Sequence, residues 1–280
     1  MNKSKTVPVY QLLVEYLKKG FSVLDTDIQQ EIITFVRSQQ NQNGGFNDRA
    51  GNPDLYYSLF GLWLSLATGQ NESLSKLKKY CSGIELPGQG PVEQMALILT
   101  KAALEPKTKR RSVFSLLRML NQQGKNISLW YRFFLFALLV DALGKNKTFY
   151  YFLARIYLIF FHPKPDFPCS LVAAFTYARK MMGLPLQKSH KLVMNYYVKS
   201  GGFKAFDTTS NSDMLSTAVA LFVLKEIAAD LRLIRPATLG FVQNNYFEGA
   251  FLSGDGDETK DLEYTFYGLL ALGSLVNNEK

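Results

Sequence analysis

The chain has 280 residues, 47% of them hydrophobic and 14% aromatic, and carries a formal net charge of +9. That length and apolar content are enough for a sizeable core and exclude a disordered, purely solvating chain. Two cysteines, Cys81 and Cys169, exclude a disulfide framework and fit a reducing compartment. The first stretch, MNKSKTVPVYQLLVEYLKKG, is basic but lacks an apolar run ending in small residues, so it reads as a helix within 1–24 and not as a signal peptide. The glycosylation patterns at Asn71, Asn126 and Asn146 are therefore read as chance, and the expected location is cytoplasmic. The excess of positive charge suits anionic surfaces, but without an arginine-rich tract or RNA-binding motif no nucleic-acid partner is expected.

Along the rest of the chain one pattern recurs. DLYYSLFGLWLSL begins at Asp54 and DLEYTFYGLLAL at Asp261, with matching Asp, Leu, Tyr, hydroxyl and Gly-Leu positions. The same hydrophobic phase starts at Pro91, Ser128, Asp166 and Asp213, giving spacings of 37, 37, 38, 47 and 48 residues. These six segments are apolar nearly all round, which requires them to be enclosed by protein. Each anchor stands where a helix N-cap is expected. Between them lie six segments with a polar face, DIQQEIITFVRSQQ, ESLSKLKKY, KRRSVFSLLRMLNQQ, KTFYYFLARIYLIF, QKSHKLVMNYYVKS and IRPATLGFVQNN. Almost nothing reads as a strand. The expected fold is all-α: six hairpins of outer and inner helices in one domain, 25–280, closing into an α6/α6 toroid with the 1–24 helix packed on it. Closure is favoured over an open array because the first and last repeats are the most alike.

Three loops carry Gly-Gly-Phe or Gly-Ala-Phe before an anchor Asp: Phe46 before Asp54, Phe203 before Asp213 and Phe251 before Asp261. The glycines are read as helix ends and turns, and the phenylalanines as plugs between hairpins. FVRSQQNQNGGFNDRAGNPDLYYSLFGLWLSL and FVQNNYFEGAFLSGDGDETKDLEYTFYGLLAL resemble the repeats of the prenyltransferase and squalene-cyclase (terpenoid cyclase) superfamily, and the fifth repeat does so from its glycines onward. The resemblance implies an α/α toroid that acts on or binds an apolar isoprenoid-type ligand in a central cavity. Protein prenyltransferase β subunits carry zinc through motifs resembling D-x-C-Y-S-F and D-F-Y-H-T-C. Here DMLSTA and DLEYTF stand in those places, so Asp213 matches the aspartate while Leu215 and Tyr264 replace the cysteine and histidine. A catalytic zinc needs three protein ligands, and neither His162 nor His190 lies at an inner-helix start; no metal and no cofactor are expected. The D-x-D-D of class II terpene cyclases is absent too. The nearest match, Asp255-Gly-Asp257-Glu258, precedes the helix and reads as a solvated acidic turn, and Asp261 and Glu263, two apart on a helix, do not face each other.

In a closed ring the inner-helix starts converge on one cavity mouth. Candidate catalytic residues are Asp213 and Glu263, and candidate ligand-binding residues are Tyr57, Glu93, Tyr131, Arg132 and Tyr264, with Trp63 and Phe134 deeper. Gln94, Asp166, Cys169 and Ser216 share the mouth, and Phe60, Phe133, Phe136, Phe175 and Phe222 share the aromatic lining, which is either core or a surface for a developing carbocation. Glu93, Arg132 and Glu263 are charges in otherwise apolar helices, and form either a salt bridge across the ring or a substrate-facing set. The alternative is a non-catalytic toroid that binds a lipid or a protein partner. Finally, FYYFLARIYLIFF, residues 149–161, lacks a polar face and is too short to span a bilayer. It is covered by a neighbouring helix, or it meets a partner protein or the inner membrane surface peripherally, aided by Lys107, Lys109, Arg110, Arg111, Lys145, Lys147 and Arg155.

Overall fold

The structure is a computed structural model that describes residues 7–105, 111–120, 129–145, 147–164 and 166–276. Its described residues form thirteen helices, and the only sheets among them are pairs of two-residue strands. After the N-terminal helix α1 (Val9–Ser22), the six expected outer segments are α2 (Thr26–Ser38), α4 (Asn71–Ser82), α6 (Val113–Leu120), α8 (Lys147–Phe160), α10 (Gln187–Met194) and α12 (Arg235–Asn244). The six expected inner segments are α3 (Leu55–Thr68), α5 (Pro91–Leu104), α7 (Leu129–Leu143), α9 (Cys169–Met181), α11 (Met214–Glu226) and α13 (Leu262–Leu275). Helix and loop therefore alternate as the hydrophobic phase requires.

The chain divides into two compact units, one of Met1–Glu15 with Val36–Lys147 and the other of Tyr16–Phe35 with Thr148–Lys280. In the first, α5 packs between α3 and α7. In the second, α11 packs between α9 and α13, and α11 with α13 is its most extensive helix contact. The apolar character of α13 is explained by enclosure: every residue of it except Glu263 and Tyr264 is buried. At 25 cal/mol per Å² of apolar surface removed from water, each fully buried Leu or Phe stabilises by ~2 kcal/mol, so such helices hold each unit together.

The three Gly-Phe loops share a construction that the sequence pattern only hints at. The anchor carboxylate of Asp54, Asp213 or Asp261 caps its helix by accepting from the backbone N–H of Tyr57 (2.8 Å), Ser216 (3.0 Å) or Tyr264 (2.8 Å). One turn into the helix, the hydroxyl of Ser58, Thr217 or Thr265 accepts from the backbone N–H of Phe46 (2.9 Å), Phe203 (2.8 Å) or Phe251 (3.3 Å). The Phe rings are fully buried. Two of them lie against helix glycines, Phe46 on Gly61 and Phe251 on Gly268, where an added Cβ would sit 2.4 and 2.1 Å from ring carbons. The recurring Asp, hydroxyl, glycine and Phe are thus parts of one fastening between loop and helix.

Short strands, not expected from the sequence, complete it. β1 (Phe46–Asn47) pairs antiparallel with β2 (Pro53–Asp54), and β5 (Phe203–Lys204) with β6 (Ser212–Asp213), which sets each Phe opposite its anchor Asp. The third loop departs: β7 (Tyr246–Phe247) pairs with β8 (Ala250–Phe251) across a tight turn with Glu248 and Gly249 at φ +42° and +84°. A fourth pair, β3 (Arg111–Ser112) with β4 (Gly144–Lys145), is parallel.

Two anchors behave differently from the expectation. Asp166 is exposed and caps nothing, because α9 starts three residues later with Pro168 in the N-cap position. The residue before a proline is disfavoured in the helical region, and Phe167 lies in a turn closed by its N–H on the Lys164 carbonyl (3.1 Å), so the start is delayed. Before Pro91 the cap is Gly90, without a side-chain hydrogen bond. Ser128 lies outside the described residues.

Candidate functional site

In the first unit the polar candidates gather at the start of α5. A pocket of about 230 Å³ is lined by Gly88, Gln89, Gly90, Pro91, Val92, Glu93 and, from the first turn of α7, Arg132. Glu93 and Arg132, expected together, do share this pocket. Gln94 lies buried beside it and donates from Nε2 to the Gln89 carbonyl (2.8 Å), which ties down the loop before the helix. Burial pushes the Asp54 carboxyl above its ordinary range, and the charges of Glu93 and Asp48 add to that effect. The pocket therefore sits beside a second acidic group whose ionisation it discourages.

Tyr57 is half-buried at the first turn of α3. It heads a run of edge-to-face rings, Tyr57 on Tyr56 (5.9 Å), Tyr56 on Phe60 (5.0 Å) and Phe60 on Trp63 (5.8 Å). Phe60 and Trp63 are core residues, 3% and 1% exposed, and their stacking stabilises the first unit whatever else it does. Phe134, expected deeper, is instead 39% exposed on α7. The side chains of Tyr131 and Phe133 lie outside the described residues.

In the second unit the candidate acid is Asp213. Its Oδ1 caps α11, while its Oδ2 is buried with no hydrogen-bond partner. Burial raises the Asp213 carboxyl above the ordinary carboxylate range, opposed by the hydrogen bonds from Ser216 and reinforced by the charge of Asp255. Cys169, fully buried at the start of α9, faces the same carboxylate; burial first, and Asp213 second, push its thiol well above the ordinary range. It is an inert thiol and not a nucleophile. Close by, Tyr196 is buried and donates from its hydroxyl to the Phe167 carbonyl (2.6 Å), with burial pushing its phenol up to about 12. Sequence reading passed over Tyr196 because it lies in an outer segment, and its only signal was a doubled Tyr before Val198.

The acidic turn is what the sequence suggested, with an added consequence. Asp255 is exposed and its carboxylate accepts from the Ser253 hydroxyl and from the Asp257 backbone N–H (3.2 Å). Ser253 is buried, and its carbonyl accepts from the Met214 backbone N–H (2.7 Å), next to the Asp213 cap. The turn thus brings Asp255 to Asp213 across more than 40 positions of sequence. Glu263 and Tyr264 stand half-buried at the first turn of α13.

Among the described residues no three His, Cys, Asp or Glu side chains group to hold a metal ion.

Asp213 makes a testable link between site and stability. A carboxyl raised on folding binds its proton more tightly in the folded state, so its contribution is favourable below the ordinary pKa and is lost as pH rises through the folded value. Asp213→Asn retains an oxygen for the Ser216 cap but has no charge to bury. Its stability relative to wild type is expected to improve as pH rises from about 4 through the folded value and then to level off, measured by denaturant unfolding. Asp213→Ala loses the cap and is expected to be ~1 kcal/mol less stable at the acid end. An Asn variant with the same pH dependence as wild type contradicts this assignment.

No protein-family model, no curated protein and no solved structure matches the chain.

Proposed function

We propose that the chain is an α/α-toroid protein that binds an apolar isoprenoid-type ligand without converting it. The observation that carries this reading is the fate of the motif's polar groups. The Asp caps and the Ser/Thr hydroxyls at all three Gly-Phe loops are engaged in fastening the fold. Those same loops carry the resemblance to the prenyltransferase and squalene-cyclase repeats, and the half-buried Tyr56 and Tyr57 supply an aromatic surface after the first of them.

The test is titration with farnesol and squalene, read by thermal unfolding. Saturable binding of one isoprenoid per chain is expected to stabilise the protein by ~2.7 kcal/mol at a hundredfold excess over Kd. A fatty alcohol of equal carbon number is expected to bind more weakly. Absence of stabilisation by every isoprenoid offered refutes the reading.

One observation favours an enzymatic version. Asp213 offers a buried oxygen without a partner, a raised pKa and a neighbouring carboxylate, the features of a carboxylic acid kept protonated to donate its proton. In that version Asp213 gives its proton to one alkene carbon, the cation closes a ring on a second alkene, and the ring cation loses a proton to the Glu263 carboxylate, with solvent returning the proton to Asp213. Turnover of squalene by wild type, lost in Asp213→Asn while binding persists, supports it; unchanged squalene after prolonged incubation rejects it.

A further inference from the structure

Helix α8 inverts the usual arrangement of a surface helix. Its only buried side chain is Leu158, whose backbone carbonyl accepts from the buried Arg179 guanidinium of α9. The outward side is apolar: Phe149, Phe152 and Phe160 are 59%, 60% and 81% exposed, and Leu153, Ile156 and Tyr157 are exposed among them. At 100° per residue these side chains, with the exposed Ile159, cover an arc of about 160° centred on Phe149, and the exposed Arg155 lies at one edge. Isolated exposed apolar residues are ordinary, but a contiguous aromatic face of this extent marks an interaction surface.

Charge selects what meets it. Between Asp141 and Asp166 the sequence has no acidic residue, and it holds Lys145, Lys147, Arg155 and Lys164. His162 and Lys164, just past the helix, are exposed. A second copy docking through the same face would set this basic stretch against itself, because an isologous contact opposes identical patches. An anionic lipid surface matches both properties: aromatic rings enter the boundary between headgroups and acyl chains, and cations at the margin meet the phosphates. No helix of the described residues is long and apolar enough to cross a membrane, and α8 has 14 residues, so the helix lies in the surface plane.

We infer that α8 is a membrane-surface docking helix that seats the protein on anionic lipid through Phe149, Phe152, Ile156 and Phe160, with Arg155 and Lys164 at its margin. This stands apart from the ligand reading above, since docking requires no occupied cavity. The experiment is flotation of the full chain with vesicles of phosphatidylcholine and phosphatidylglycerol in equal parts, beside vesicles of phosphatidylcholine alone. Wild type is expected to float with the anionic vesicles at low salt and to be released at high salt. Phe152→Glu with Phe160→Glu is expected to abolish flotation, and Arg155→Glu to weaken partitioning by about tenfold. Phe161 is left intact because its ring packs on Phe175 (4.9 Å) and Tyr157 (5.0 Å). Wild type that stays in the soluble fraction at low salt overturns the inference, without touching the isoprenoid titration. So does equal flotation with both vesicle types, or a wild-type dimer that the Phe152→Glu, Phe160→Glu chain no longer forms.

Discussion

Gly273→Ala is expected to destabilise the protein by about 3 kcal/mol, although the same change in an ordinary helix stabilises. Replacing Gly by Ala inside a helix normally gains up to ~1 kcal/mol, because Gly surrenders more backbone freedom on folding. At Gly273 of α13 the added methyl would lie 1.9 Å from the Tyr16 carbonyl oxygen and 3.0 Å from the Gly20 nitrogen of α1. The contact is reciprocal: a methyl on Gly20 would lie 2.0 Å from the Leu269 carbonyl oxygen. All of these are backbone atoms, so no rotamer change relieves the overlap and a helix has to move. Around Gly273, Leu272, Ser274 and Leu275 are buried, which makes that movement costly. The control is Gly240→Ala in α12, where nothing lies within 4 Å of the added methyl. That change is expected to stabilise by ~0.5–1 kcal/mol. Urea unfolding of both variants decides the matter: a neutral or stabilising Gly273→Ala means that α1 and α13 do not touch at their backbones.

Gly273 also shows where sequence reading stops. In the sequence it is one more small residue in GLLALGSL, and the partner that makes it indispensable lies more than 250 positions away. The alternation of helices with a polar face and helices apolar nearly all round was legible because it depends on local chemistry. A segment such as FYGLLAL has no face to give to water, and an Asp before an apolar run caps it. The caps at Asp54, Asp213 and Asp261 were legible for the same reason. Asp166 misled because a proline two residues on delays the helix, which a register count overlooks. Two-residue strand pairs leave no periodicity to read. At the candidate site, the sharing of one pocket by Glu93 and Arg132 followed from their equivalent places near helix starts. The approach of Asp255 to Asp213 did not, since it depends on the path of a loop that the buried Ser253 fixes from inside. The exposed face of α8 was legible as a missing polar face, because exclusion from water is a property of composition; which side the fold would leave open was not.

Thr217→Val tests the fastening itself, and is expected to cost ~2 kcal/mol. The two side chains have nearly the same shape, so the change removes a hydroxyl and leaves the packing in place. What remains is the Phe203 backbone N–H, which now bonds the Thr217 Oγ at 2.8 Å in a fully buried setting. Without that acceptor the amide is buried and unsatisfied, and the penalty is its full desolvation and not the small net value of an exchanged hydrogen bond. The loop cannot relax easily. Gly202, at φ +79°, lets the backbone pass so close to this hydroxyl that a Cβ there would lie 2.8 Å from it. Thr265→Val is expected to cost less, because the Phe251 N–H lies 3.3 Å from its hydroxyl. The consequence reaches the candidate acid. Phe203 pairs with Asp213 across β5 and β6, so a loosened Phe203 frees the carboxylate that caps α11. Hydrogen exchange at the Ser216 amide is therefore expected to quicken in Thr217→Val and to stay slow in Thr217→Ser, which keeps the acceptor. Unchanged stability and unchanged exchange in the valine variant would mean that the recurring hydroxyl fastens nothing.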